Sequence, residues 1–264
     1  MEVQGWGVVP RPKPAGVILI ILGIDVETTG LDCNTHRITE LGMVLYDTDR
    51  KQPLRMYCEY VKIDSNVPPM ITQLTGITDG DLSSYGIPIE EAMAAYFEFC
   101  ELAEYQVAHN APFDRGFINA EITRIEAPGV PKDIPWIDTS VDVRYPEGIQ
   151  TRKLEFLGPA HGFLNPWSHR ALFDVLSMLK VLDNYDINEV TRLAGEPDVT
   201  MIAICQKPWD DKAADGKKDT DKAKGMGYRW NGTAKQWQKK VKQSQISAEQ
   251  NNGELKVQVL EAPR

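Results

Sequence analysis

The sequence predicts an α/β fold, a sheet covered by helices, followed by a small α+β module at the C-terminal end. Three observations predict it. Three strand-like segments come before any helix-like one. Helical periodicity then alternates with a further short apolar strand, the pattern of a sheet flanked by helices. Composition changes after about residue 197. The 264 residues, 42% of them hydrophobic, suffice for one ordinary domain and a smaller one.

The first 16 residues, with three prolines and little periodicity, read as a flexible arm. Residues 17–195 then form the expected main domain and 196–264 the expected module. Val17–Val26 is rich in Ile and Val, which suits a central strand. Arg11 and Lys13 ahead of the apolar run Ala15–Ile24 superficially suggest a secretory signal. That run is too short to span a bilayer and leads into an acidic motif. We read it as a buried strand, and the protein as cytoplasmic, without a membrane partner. Arg37–Asp47 and Arg55–Ile63 are two further strands, joined by a polar turn over Asp47–Pro53. Ile89–Tyr105 has apolar residues at helical spacing, and Gln106–His109 is a short strand. Pro112 suits a helix start, with helical period continuing over Phe113–Ile125. His169–Tyr185 is a second amphipathic helix. In the module, Val199–Cys205 and Leu255–Leu260 read as strands, and the Asn231-Gly232 pair between aromatic and apolar residues signals a hairpin.

The formal charge of −9 is unevenly spread. Residues 1–206 hold 16 Lys and Arg against 30 Asp and Glu, while residues 207–242 hold 11 against 5. An acidic body argues against broad, passive nucleic-acid binding and for a local grip through bound cations and a basic tail. The cysteines, Cys33, Cys58, Cys100 and Cys205, lack metal-binding spacing and read as free thiols of a reducing compartment.

Four acidic residues break the local apolar pattern. Asp25 and Glu27 end an apolar strand; two residues apart, they face the same way, with Cα atoms roughly 6.5–7 Å apart. Two like charges so placed need a positive partner, unless the strand has already ended in solvated loop. Asp114 shares a helical stripe with Ile118, Ile122 and Ile125, and Asp174 one with Ala171, Met178 and Val181. Each taken singly could be met by an arginine or a backbone donor. An all-carboxylate set suits hard cations, Mg²⁺ or Mn²⁺. In one regular helix His169 would lie about 140° around the axis from Asp174. It therefore belongs to the helix entry, either as a cap residue or as a base reaching over the acids. Histidine is suited to general-base work near neutral pH.

At these residues the sequence resembles a known family. Gly23-Ile24-Asp25-Val26-Glu27-Thr28-Thr29-Gly30 resembles the first motif of the DEDDh (DnaQ-like) 3′→5′ exonucleases. His109-Asn110-Ala111-Pro112-Phe113-Asp114 resembles the second, in the form found in the proofreading epsilon subunit of bacterial DNA polymerase III. His169-Arg170-Ala171-Leu172-Phe173-Asp174 resembles the third; Arg170 stands where the tyrosine subclass would carry Tyr. The resemblance implies a ribonuclease H-like, mixed five-stranded sheet flanked by helices. It implies that Asp25, Glu27, Asp114 and Asp174 hold two divalent metal ions and that His169 is the general base. It implies release of nucleoside 5′-monophosphates from nucleic-acid 3′ ends, with DNA, in single-stranded form, the preferred substrate. It further implies that Thr28, Leu31, Asn110 and Phe113 cradle the terminal nucleotide; for Leu31 and Phe113 core packing is the alternative. Thr75, in Leu74-Thr75-Gly76-Ile77-Thr78, replaces a histidine common among relatives. Residues 223–237 resemble small Gly-Phe-Arg-Trp modules appended to some exonucleases, and the basic tail with its tryptophans either holds single strands by charge and stacking or forms a stable hairpin domain. RNA trimming and an inactive, nucleic-acid-binding scaffold remain the competing functions. A proofreading or repair role would need a polymerase or repair partner.

Overall fold

The computed structural model describes residues 18–127, 129, 131–146, 148–149, 151–205, 216 and 218–260. The expected arm over residues 1–16 lies outside them. Strand β1 (Ile20–Thr28) runs antiparallel to β2 (Ile38–Asp47), which runs antiparallel to β3 (Gln52–Tyr60). Helices α1 (Pro69–Thr75), α2 (Asp79–Tyr85) and α3 (Ile89–Leu102) lead to β4 (Tyr105–Ala108), which returns parallel to β1. Helix α4 (Ala111–Arg124) crosses to β5 (Trp136–Asp138), parallel to β4. Helices α5 (Leu154–Ala160), α6 (Ala171–Leu182) and α7 (Ile187–Ala194) follow. The sheet order is β3-β2-β1-β4-β5, the mixed five-stranded sheet expected from the sequence.

The alternation of β1 assigns its two faces. Leu22, Ile24 and Val26 join Leu41, Met43 and Leu45 of β2 in a core closed by Met93, Tyr96 and Phe99 of α3 and Phe117 and Ile118 of α4. The opposite face carries Gly23 and Gly42, which form a shallow seat for α6. A Cβ on Gly23 would come within 2.7 Å of Val175, and one on Gly42 within 2.5 Å of the Leu172 backbone nitrogen. The absence of side chains there lets the helix approach the strands closely.

Several expected boundaries shift by a few residues, two of them with a clear physical reason or consequence. β3 starts at Gln52 rather than Arg55, because Pro53 lies on an edge strand, where a missing donor is tolerated. Its hairpin is closed by Asp47, whose Oδ1 accepts from the Asp49 and Arg50 N–H groups. Helix α6 starts at Ala171, which leaves His169 outside it in a left-handed conformation, φ 65°.

Among the described residues, those up to Val143 and Lys153–Thr191 form one compact unit; Arg144–Arg152 and the chain from Arg192 form another. The second contains β6 (Asp198–Ile204), α8 (Asp219–Gly225), β7 (Arg229–Asn231), β8 (Gln236–Lys242), α9 (Ile246–Gln250) and β9 (Lys256–Val259). Its sheet, ordered β7-β8-β6-β9, is antiparallel throughout. Met201, Ala223, Tyr228, Trp237, Val241 and Val257 form its core. The β7–β8 hairpin is longer than a two-residue turn: Asn231 Oδ1 accepts from the Thr233 and Ala234 N–H groups, and Lys235 takes the positive φ. Trp237 is buried beneath Lys224, so its ring is part of the core and is not offered to a base. Trp230 beside it is 45% exposed. No helix among the described residues is long and apolar enough to cross a membrane.

Candidate active site

The site lies at the C-terminal end of β1, where strand order reverses between β2 on one side and β4 on the other, a usual place for a ligand crevice in α/β sheets. Asp25 lies opposite Gly42 and Glu27 opposite Glu40 in the antiparallel ladder, so all four share the α6 face. The parallel ladder to β4 ends at Gly23 and Val107. Beyond it, the Val26 N–H donates to Asp114 Oδ1 at 3.1 Å, which carries that acid from the first turn of α4 to the strand end. Asp174, in the first turn of α6, accepts from the His169 N–H at 2.8 Å and from Asn165 Nδ2 at 2.9 Å. Ligand atoms of Glu27, His169 and Asp174 all lie within 4.8 Å of one another.

Burial dominates the electrostatics. It pushes Asp25 well above the usual carboxylate range, reinforced by Asp114, Glu27, Asp174 and Glu40. Burial, then Asp174, Glu40 and Asp114, raises Glu27 to about 8, with Arg170 opposing. Burial raises Asp114 to about 8 as well, against hydrogen bonds from backbone N–H groups. Asp174 is raised by burial, opposed by His169 and Asn165.

These four acids, of which Asp114 is buried and Asp25, Glu27 and Asp174 are half-buried, differ from two buried acids of the same unit. Glu121 is held by Arg37 and Arg124, and Glu40 by Arg170. Among the described residues no lysine or arginine bridges Asp25, Glu27, Asp114 or Asp174. A cluster of carboxylates without cationic side chains, with one histidine beside it, fits hard divalent cations through its donor set and its uncompensated charge.

The residues expected to cradle a nucleotide are placed unequally. Leu31 is 86% exposed on the loop after β1, which removes the core-packing alternative for it. Phe113 packs against Phe117 at the edge of the core, with ring centroids 4.9 Å apart, and is half-buried. Thr28 is buried, and its hydroxyl donates to the Gly30 carbonyl. Asn110 is exposed at the N-terminus of α4 with φ 79°, its N–H donated to Asp138. Thr75 is turned inward, donating to the Ile71 carbonyl and accepting from the Ile77 N–H. His109 engages Thr139 and His161 engages Tyr185. The four cysteines are free.

Sequence reasoning passed over Glu40, Arg170 as a partner, and Asn165. Glu40 had a usable signal: it is an ionisable side chain inside a ten-residue strand that is buried throughout. Asn165 carried none, being a polar residue in a loop.

A family model of exonucleases, RNase_T, matches residues 22–182. The chain is 31% identical over 186 residues to the PolC-type DNA polymerase III of Streptococcus pneumoniae, a match covering 68% of this chain and 12% of that polymerase. The chain thus spans only a small part of the length of the curated relatives it matches. In structure it is similar to E. coli exonuclease I in complex with a dT13 oligonucleotide, with TM-score 0.55, 18% identity, and 63% of this chain and 40% of that one covered. It is also similar to the nuclease domain of 3′hExo, a DEDDh family member, bound to rAMP, with TM-score 0.52, 17% identity and 64% and 92% coverage. With the family model covering residues 22–182 and the acids and histidine of all three motifs gathered at one strand end, this chain belongs to the exonuclease family, in its DEDDh, DnaQ-like 3′→5′ branch.

Proposed function

We propose that the protein removes nucleoside 5′-monophosphates from the 3′ ends of DNA, with single strands preferred, using two divalent ions, Mg²⁺ or Mn²⁺. The observation that carries this reading is the set of four acids, Asp114 buried and Asp25, Glu27 and Asp174 half-buried, that no lysine or arginine bridges among the described residues, beside His169. Asp25, Glu27, Asp114 and Asp174 would hold the ions. When bound, these supply electrostatic stabilisation to the attacking and leaving oxygens of the phosphodiester.

The rest of the chemistry falls to the chain. His169 takes a proton from the attacking water; the P–O bond to the penultimate 3′-oxygen breaks, and that oxygen leaves and is protonated from solvent. Asp174 holds the His169 backbone and is itself held by Asn165. Leu31 offers apolar surface to the terminal base, and Phe113, Thr28 and Asn110 line the approach.

DNA is favoured by the similarity to a DNA polymerase, and by the dT13 bound to exonuclease I. The rAMP bound to 3′hExo marks RNA as the competing substrate. The polymerase similarity also supports a proofreading role with a polymerase partner. Free thiols fit a reducing compartment, the cytoplasm. We take residues 17–195 as the exonuclease domain and 196–264 as a separate module. Its exposed Arg229, Lys235, Lys240 and Lys256 would add sequence-independent affinity for the phosphate backbone.

The test is a product ladder on 5′-labelled single-stranded DNA and matched RNA, each with Mg²⁺, Mn²⁺ or chelator, alongside Asp25→Ala and His169→Ala. Stepwise 3′ shortening that needs metal and both residues is expected, faster on DNA. Faster shortening of RNA would reassign the substrate, and no shortening of either would refute the activity.

A further inference from the structure

Glu40 is 1% exposed and sits directly across the ladder from Glu27, yet it is not one of the four acids left without a cation. Its Oε1 accepts from Arg170 Nη2 at 2.8 Å and Nε at 3.1 Å. Its Oε2 accepts from Arg170 Nε at 3.2 Å and from the Ala171 N–H at 2.9 Å. Cys58 Sγ lies 3.5 Å from Oε1, and the Arg170 guanidinium stands 5.4 Å from the centre of the Tyr60 ring. The carboxylate therefore does two jobs at once. It pairs with a guanidinium in a forked geometry, and it caps the first free N–H of α6 from another strand, since Arg170 at the N-cap makes no side-chain cap of its own.

The residue fixed by this arrangement is His169. It is a non-glycine residue in the left-handed region, a conformation that persists only where its surroundings impose it. On its N-terminal side the His169 N–H is tied to Asp174. On its C-terminal side Arg170 and Ala171 are both tied to Glu40. Gly42, two residues along β2 from Glu40, lets the start of α6 lie against the strand at that point. The imidazole is thus carried on a strained residue clamped between two carboxylates, one of them a member of the proposed metal set and the other outside it.

We propose that Glu40 and Arg170 are positioning residues, an ion pair that ties the entry of α6 to β2 and so fixes His169 over the acids. The kinetic part of this inference rests on the exonuclease reading; the structural part does not. Arg170 keeps 35% of its side chain exposed, so the rival role for it is contact with a substrate phosphate. The two roles separate in kinetics: misplacing a base lowers kcat, whereas losing a phosphate contact raises KM.

Arg170→Met, Glu40→Gln and the double variant would be assayed for kcat and KM on single-stranded DNA. Amide hydrogen exchange at His169 and Ala171 would be measured in the metal-free proteins, with Leu179 in the middle of α6 as the internal control. The expected result for Arg170→Met is a kcat lowered about 100-fold with KM nearly unchanged. Exchange at Ala171 should be at least about tenfold faster while Leu179 is unaffected. The double variant should be no worse than the worse single one, because both remove the same link. Should Arg170→Met fail to fold, Arg170→Lys keeps the charge but not the fork, and the same kcat loss in smaller degree is expected. A rise in KM at constant kcat, or unchanged protection of Ala171, would overturn the proposal. If the wild-type chain shortens no substrate, the exonuclease reading fails and the exchange measurement decides the clamp by itself.

Discussion

The carboxylate cluster predicts that the metal-free protein loses stability as the pH rises through neutrality. Asp114 is 2% exposed and is raised by burial from 3.8 to about 8. Between those values the folded chain holds a proton that the unfolded chain has lost, so the stabilisation present at low pH is lost as pH rises through 8. Each pH unit in that window removes about 1.4 kcal/mol, and from pH 5 to 8 the single group removes about 4 kcal/mol. For a domain of this size that is a fall in Tm of about 8–16 °C. Glu27, also raised to about 8, adds in the same direction. Asp32 and Asp81, held low by hydrogen bonds from Asn34 and Thr78, titrate at the acid end and leave this window to the raised acids. The assay is thermal unfolding in chelator from pH 5 to 9, repeated with Mg²⁺ and with Asp114→Asn. Mg²⁺ should raise Tm at pH 8 and do little at pH 5, where protons compete for the same oxygens. Asp114→Asn, which keeps an acceptor for the Val26 N–H, should flatten the curve. A metal-free Tm that stays level or rises from pH 5 to 8 would refute the reasoning.

Three further outcomes follow from the geometry. His169→Asn should lower kcat about 10²–10⁴-fold while the Mg²⁺-induced rise in Tm persists, as read by steady-state kinetics and thermal melts side by side. Gly42→Val places carbon where the nearest backbone atoms of Leu172 and Ala171 stand 2.5 and 2.6 Å from a Cβ; urea titration should show a loss of about 1–3 kcal/mol, accompanied by a lower kcat. Trp237→Ala should cost the C-terminal unit about 3–5 kcal/mol. Limited proteolysis should then cut after residue 195 while the rate on short oligonucleotides holds.

The elements that sequence alone made legible are those long enough to show a period. β1, β2, α3, α4 and α6 each run nine residues or more, and their apolar stripes announce them. Helices α1, α2 and α5, at seven residues each, and β5, at three, are too short to show one. Position is decided by partners that a linear reading does not see. Pro53 reads as a breaker until β3 is known to be an edge strand. Leu31 and Phe113 carry similar apolar surface, and only the fold separates the exposed one from the one leaning on Phe117. Glu40 violates its strand as plainly as Asp25 does, but its role depends on an arginine 130 residues further along the chain.

That contrast explains why four of the acids read as a site. An ionised carboxylate withdrawn from water without a partner costs several kcal/mol, and total stabilities are only about 5–15 kcal/mol. The fold can neutralise buried acids with arginines, and does so for Glu121 through Arg37 and Arg124 and for Glu40 through Arg170. Glu40 lies directly across the ladder from Glu27, so a guanidinium reaches the neighbourhood of the cluster and stops at the fifth acid. Among the described residues no lysine or arginine does the same for Asp25, Glu27, Asp114 or Asp174. At neutral pH such a cluster is tolerable in only two states: partly protonated, or charged around cations from outside the chain. The first state keeps the metal-free fold intact, and the second places the cations beside His169. The strained backbone at His169 then has a reason, because it brings the imidazole within 4.8 Å of Glu27 and Asp174, where a regular helix start would have turned it away.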